Sequence, residues 1–358
     1  MPGKLKLSSV VALAYTLVIV YASLQPFTGW RTPSAEVQGF LAAPWPRYVT
    51  AGDVMLNVVA YLPLGAMLFA ALRPPLAAAM AVIVATLIAA ALSLALESVQ
   101  MFLPTRIASN LDLLINVFGA GTGALAAWML ASPALANNPL AAIRRHAIRA
   151  GALGDIGLLV VALWILTLFH QAPLALGYGD LREALDITPL FAHTPRSYLL
   201  AETIVVALAI TAIGVLVSLL MQPQRSPLPA IAVTLLLALA AKTIAAVTIT
   251  RATHWLQWLT PGVAAGAGGG IVLLAVLLRL APAARAAIAL LCITASVFIV
   301  NIAPENPYQP VPAFMFSPQP TQLLNFSQIV HSVSLVWPLI AAVFLLVLAR
   351  GDRAAAPR

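Results

Sequence analysis

Between Glu97 and Gly119 the chain carries Glu97, Gln100, Arg106, Asn110, Asp112 and Asn116, while the residues on either side are almost unbroken Ala, Leu, Val and Ile. Asp53 and Asn57 lie upstream in a similarly apolar stretch. These residue types support three kinds of chemistry. A carboxylate such as Glu97 or Asp112 can act as a general base, or can accept hydrogen bonds from hydroxyls and amines. Arg106 stays charged, grips a carboxylate or phosphate with two donors, and can stabilise an oxyanion. The amides of Asn57, Gln100 and Asn116 can orient whatever those groups hold.

The spacing is helical. Asp53, Asn57 and Tyr61 follow i, i+4, i+8. Ser93, Glu97 and Gln100 follow i, i+4, i+7. Ser109, Asp112, Asn116, Gly119 and Gly123 follow i, i+3, i+7, i+10, i+14. Residues three, four and seven apart share one face of a helix, so each segment presents a single polar stripe. Arg106 falls on a short connection between the second and third stripes, where it can reach Glu97 or Asp112.

The elements that must hold these stripes are membrane helices. Of 358 residues, 62% are hydrophobic and 8% charged, against about 25% charged in a soluble domain. The net charge of +8 is spread over loops without a basic run, which argues against a nucleic-acid partner. The single cysteine, Cys292, excludes an intrachain disulfide framework. About 20 mostly apolar residues cross a bilayer, and ten such stretches lie near 7–24, 53–71, 76–98, 110–130, 153–170, 198–221, 229–249, 257–279, 284–302 and 327–349. The chain therefore reads as an all-α polytopic bundle of about ten helices. The basic start and apolar run at the N-terminus read as an uncleaved first helix.

With the N-terminus inside, twelve Lys and Arg fall in one set of connecting segments and six in the other, with Lys242 inside a helix. This bias predicts that both termini are cytoplasmic. Trp30, Trp45, Tyr48, Trp255 and Tyr308 are expected interface anchors on the other side. All three polar stripes then lie near the outer ends of their helices.

Shifting the chain by 145 residues aligns Arg106 with Arg251, Thr105 with Thr250, Gly121 with Gly266 and Gly123 with Gly268, with seven identities over the 29 positions from Leu96 to Ala124. The expected organisation is a four-helix domain over 1–150, a degenerate parallel copy over 151–281, and two added helices over 282–358. A proline- and aromatic-rich segment between the added helices reads as an outer cover or a rigid loop. At the shifted positions Glu97 becomes Lys242, Gln100 becomes Ala245, Asp112 becomes Gln257 and Asn116 becomes Pro261. Any chemistry is therefore expected in the first copy. Lys242 and Glu202 are candidates for a second intramembrane pair, read as structural.

A carboxylate at the bilayer centre costs roughly 2.5–3.5 kcal/mol on insertion scales, so the stripes must face inward. Two readings stay open: a salt-bridge and amide network that locks three helices together, and a site for a polar group presented from the outer leaflet. No cofactor is implied. The histidines lack metal-ligand spacing. An Asp53, Glu97 and Asp112 site for Ca²⁺ or Mg²⁺ would be opposed by Arg106.

The motifs resemble the VanZ-like family of bacterial membrane proteins over about residues 8–130. The match is carried by D-x-x-x-N and P-x-G at Asp53, Asn57, Pro63 and Gly65, by E-x-x-Q at Glu97 and Gln100, by P-x-R at Pro104 and Arg106, and by D-x-x-x-N-x-x-G at Asp112, Asn116 and Gly119. SLQPF at Ser23–Phe27 is similar to the family's start. The resemblance implies a role in the cell envelope, and the family takes its name from a protein linked to teicoplanin resistance. The expected function is binding of an envelope lipid, lipid-linked glycan or lipoglycopeptide by Asp53, Asn57, Glu97, Gln100, Arg106, Asp112 and Asn116. The alternatives are an enzyme acting on such a lipid, with Glu97 or Asp112 as base and Arg106 at the oxyanion, and a lipid or drug transporter.

Overall fold

A computed structural model describes residues 7–24, 27–32, 39–45, 51–73, 75–104, 106, 108–131, 146–170, 172, 174–192, 194–248, 254–304 and 321–355. Among these, ten helices of four turns or more are present: α1 (Leu7–Leu24), α2 (Ala51–Leu72), α3 (Ala78–Gln100), α4 (Asn110–Ala131), α5 (Ala152–Thr167), α6 (Pro195–Leu220), α7 (Leu228–Thr248), α8 (Pro261–Leu277), α9 (Pro282–Ile302) and α10 (Thr321–Ala355). Six of them, α3, α4, α6, α7, α9 and α10, are long and apolar enough to cross a membrane. The other four carry shorter apolar stretches, of which α8, at 17 residues, spans about 26 Å of rise. The chain is a multi-pass, all-helical membrane protein.

Two compact units divide it. The first comprises residues 1–142 and 318–329, the second 143–317 and 330–358. In the first unit α2 packs against α4, with α3 against both and α1 against α2 and α3. Backbone meets backbone at the α2–α4 crossing. A Cβ on Gly65 would collide with the Ala120 carbonyl, one on Gly123 with the Leu62 carbonyl, and one on Gly119 would lie 2.8 Å from the Val58 oxygen. Small residues allow this approach in lipid, where no hydrophobic force drives helices together. On α3, Ala81, Ala85 and Ala89 are fully buried at i, i+4 spacing, whereas Leu87 on α3 and Leu114, Phe118 and Leu125 on α4 are exposed.

In the second unit α6 is the central post. Of its membrane-spanning stretch 78% is buried, against 28–39% for the other spans. A helix apolar on all sides belongs in such an interior position. It starts at a capping box, in which Thr194 Oγ1 accepts from the Ser197 N–H and Ser197 Oγ accepts from the Thr194 N–H, with Pro195 at the first helical position. α8 lies along α6 through Gly262, Gly266 and Gly270, and a Cβ on Gly270 would come 2.8 Å from the Ala207 carbonyl. A core of Trp164, Tyr178, Ile213, Leu216, Ile293, Trp337 and Leu345 joins α5, α6, α9 and residues 330–348 of α10.

Residues 174–181, which fall between the expected helices at 153–170 and 198–221, form a largely buried irregular loop. Leu174, Leu176, Gly177, Tyr178 and Gly179 are all buried. Irregular backbone among apolar helices must have its polar groups satisfied by protein. Asn301 on α9 does this from both ends of its amide: its Oδ1 accepts from the Leu181 N–H at 2.7 Å, and its Nδ2 donates to the Gly179 carbonyl at 2.8 Å. The Gly179 N–H donates to the Ser334 carbonyl at 3.0 Å, and a φ of +70° at that position requires glycine. This loop also ends α5 at Thr167, short of the expected 170, so His170 lies beyond the helix.

Candidate functional site

The first unit's polar residues are positioned by helix ends. The last carbonyls of a helix and its first N–H groups lack partners within the helix. At the end of α1, Gln100 Nε2 donates to the Ser23 carbonyl at 2.8 Å and Arg106 Nη2 to the Ala22 carbonyl at 3.1 Å. Donors and positive charge are favourable at this pole of a helix. At the start of α4 the polarity is reversed. Glu97 Oε2 accepts from the Ser109 N–H at 2.8 Å, and Ser109 Oγ accepts from the Asp112 N–H at 3.2 Å. Ser109 is thus the N-cap, and Asp112 is an acid in the first turn.

Side chains then join the helices. Asn57 Nδ2 on α2 donates to Asp112 Oδ1 on α4 at 3.0 Å, and Asn116 Nδ2 on α4 donates to Ser93 Oγ on α3 at 3.0 Å. Glu97 and Asn116 are each 5% exposed. Asn116 Oδ1 is buried and has no hydrogen-bond partner among the described residues. Arg106, on the α3–α4 connection, feels Glu97 electrostatically. Burial draws the guanidinium below its ordinary pKa and the Glu97 charge opposes that shift. Arginine nevertheless stays charged. Asn110 Nδ2 donates to the Ala43 carbonyl of a one-turn 3₁₀ segment, Phe40–Ala42, tying that segment to α4.

Asn57, Glu97, Gln100, Arg106, Asp112 and Asn116 therefore gather around the facing ends of α1, α3 and α4 and the α2–α4 crossing. Asp53 lies on α2 one turn before Asn57, and its side chain falls outside the described residues. Sequence reasoning missed the C-terminal carbonyls of α1. Ser23 belongs to the SLQPF motif, but a backbone acceptor leaves no mark on a side-chain pattern. It also missed Ser109 as a cap, although Ser-x-x-Asp before an apolar run is a readable signature. Of the expected anchors, Trp30, Trp45 and Trp255 are exposed, whereas Tyr48 and Tyr308 lie outside the described residues, as do Thr105, Thr250, Arg251 and most of the proline-rich segment.

Polar groups also meet in the second unit. Glu202 accepts from Thr260 Oγ1, which in turn accepts from the Val263 N–H at 3.1 Å and so caps α8. Lys242 does not ion-pair with Glu202. Its Nζ donates to the His170 carbonyl at 3.3 Å. His170 Nε2 and His331 Nδ1 are 3.4 Å apart. In the loop, Asp180 accepts from Arg182 Nε at 2.9 Å and Nη2 at 2.8 Å. Burial raises the Asp180 carboxyl, but the hydrogen bonds and charge of Arg182 outweigh it and hold the group below the usual carboxylate range.

An all-helical membrane bundle with helix-end polar networks defines the class of protein. Residues 7–131 are a VanZ/LLP1 family domain, one residue wider at each end than the motifs alone marked. Neither the curated proteins nor the solved structures contain a match to the chain.

Proposed function

We propose that the VanZ/LLP1 domain binds the polar head of an envelope lipid, a lipid-linked glycan or a lipoglycopeptide presented from the outer leaflet. The observation that carries this reading is Asn116 Oδ1, a buried acceptor without a donor among the described residues, one turn along α4 from Asp112 and bonded through its Nδ2 to Ser93, one turn before Glu97 on α3. Buried polar atoms are rarely left so, and a hydroxyl or amine of a ligand would satisfy it. Arg106 supplies the charge for an anionic group. Glu97, Asp112 and Asp53 accept hydrogen bonds from the head group, and Asn57, Gln100 and Asn116 orient it. The lysine and arginine bias supports placing this end of the domain outside, with both termini in the cytoplasm of an inner membrane.

The test is a mass-spectrometric profile of envelope lipids and lipid-linked glycans, with binding of the enriched species to purified protein. Cells lacking the gene are compared with cells carrying wild type or Glu97→Gln at equal protein level. Binding predicts a species that co-purifies with wild type and is retained several-fold less well by Asn116→Leu, with only modest loss in Glu97→Gln. A species whose chemical structure changes in the deletion and is restored by wild type, not by Glu97→Gln, would instead assign acid–base chemistry to Glu97. No co-purifying species and no change in any strain would leave the network a structural lock and end the proposal.

A further inference from the structure

The second unit contains a buried cation whose surroundings are incomplete. Lys242 lies within the membrane-spanning α7 and is 7% exposed. An ammonium has three donors, and among the described residues Lys242 makes one hydrogen bond, to the His170 carbonyl at 3.3 Å, and no ion pair. The nearby acid is better served. Glu202 accepts from Thr260 Oγ1, from the Ala175 N–H and from Tyr198. Asp180, whose charge reaches His170, is taken up by Arg182 through two of the three guanidinium nitrogens and the backbone N–H. Glu202 and Asp180 thus have their own donors, and among the described residues the lysine's one hydrogen-bond acceptor is a neutral carbonyl, with the Glu202 charge acting on it from beyond ion-pair distance. A buried charge left this way is costly unless something completes it.

The groups beside it are suited to completing an anion's shell. His170 follows α5 and His331 lies on α10, with ring centroids 4.8 Å apart. One ring nitrogen of each is turned toward the other, and each keeps its second nitrogen for another partner. Lys242, His170 and His331 come from three elements that converge at the end of the unit where α5 and α7 finish and α6 and α8 begin. The irregular loop 174–181 lies at the same end, held by Asn301 and Ser334.

We infer that Lys242, with His170 and His331, forms a second polar site that takes an oxyanion, a phosphate or phosphate-like group carried by a lipid head or by a small solute. The site is independent of the VanZ/LLP1 domain and of the reading given to that domain.

The experiment uses the full chain in nanodiscs of phosphatidylcholine. Its melting midpoint is followed while inorganic phosphate is titrated at constant ionic strength, and again in nanodiscs containing phosphatidylglycerol. Wild type should gain a saturable rise in midpoint in one of the two series, which identifies the source as solute or lipid. Lys242→Met should lose that rise, with an apparent affinity at least about tenfold weaker. Without anion it should melt no lower than wild type, because an apolar side chain replaces a buried charge held by one neutral hydrogen bond and no ion pair. His331→Phe should weaken the response in the same direction, and it serves as the deciding variant if Lys242→Met does not fold. The inference is overturned if neither phosphate nor phosphatidylglycerol shifts wild type, if Lys242→Met keeps the full response, or if Lys242→Met folds but is destabilised without anion, which would make the lysine a structural donor.

Discussion

In the first unit the polar side chains of the candidate site meet either the end of a neighbouring helix or a side chain one helix away, and all of these but Asn57 come from a window of 24 residues, Ser93 to Asn116. In the second unit the polar groups come from positions as far apart as His170 and His331. Both units bring one helix pair into backbone contact through glycines, α2 with α4 and α6 with α8. The glycines that pack do not follow the 145-residue register, however: Gly123 abuts the Leu62 carbonyl, whereas Gly268 has no atom within 4 Å of its Cβ position. Local polar networks are built on turns and caps, which the chain specifies in short words. Dispersed networks depend on tertiary packing, and even a member that stands out in sequence, such as Lys242, does not reveal its partners there.

This contrast can be broken most severely at the α2–α4 crossing. Gly123→Leu places a side chain where the Leu62 carbonyl sits, and backbone cannot yield as a flexible side chain does. A loss of about 3 kcal/mol or more is expected. Limited proteolysis should then open the first unit while the second stays protected; equal opening of both would show that they do not fold separately. Next in size is Asn301→Ala, which strips two partners from the buried loop and should cost about 2–3 kcal/mol. Hydrogen exchange at Gly179–Leu181 should rise well before exchange in α1–α4.

A smaller effect is acidic. Asp180 has a folded pKa below its unfolded one, so its stabilisation is present above the unfolded value and is lost as pH falls through the folded value. Between about pH 6 and about pH 3 wild type should lose more melting temperature than Asp180→Asn. An identical fall in both would remove the ion pair from the account. The smallest effect should be a gain. Gly268→Ala enters open space in the middle of α8 and should add about 0.5–1 kcal/mol. If it destabilises instead, α8 approaches a surface that the packing of α6 does not reveal.

Much of the fold was legible because apolar length is a direct physical requirement of the bilayer. The runs near 76–98, 110–130 and 284–302 correspond to helices at Ala78–Gln100, Asn110–Ala131 and Pro282–Ile302. The polar stripes of α2, α3 and α4 were legible because helical spacing alone places them on faces. The acceptors of Gln100 and Arg106 were not, since Ala22 and Ser23 act through carbonyls. Lys242 was visible as an anomaly, yet its partner was not, because pairing it with Glu202 assumed that opposite charges on neighbouring helices must touch. Thr260 intervenes by occupying the acid. The loop at 174–181 was not legible because Asn301, its chief partner, lies 120 residues downstream of Leu181.

That separation bears on how the protein is made. At roughly 5–20 residues per second, a ribosome takes about 6–24 s to travel from Leu181 to Asn301, and longer to reach Ser334. During that interval the Leu181 N–H and the Gly179 N–H and carbonyl lack their eventual partners on α9 and α10, while α6 to α8 emerge one after another. The bonds that close this loop on α9 and α10 therefore form only after α5 to α8 have been made. The loop's Gly179 and Leu181 groups depend on water or on other protein groups until α9 and α10 have been synthesised.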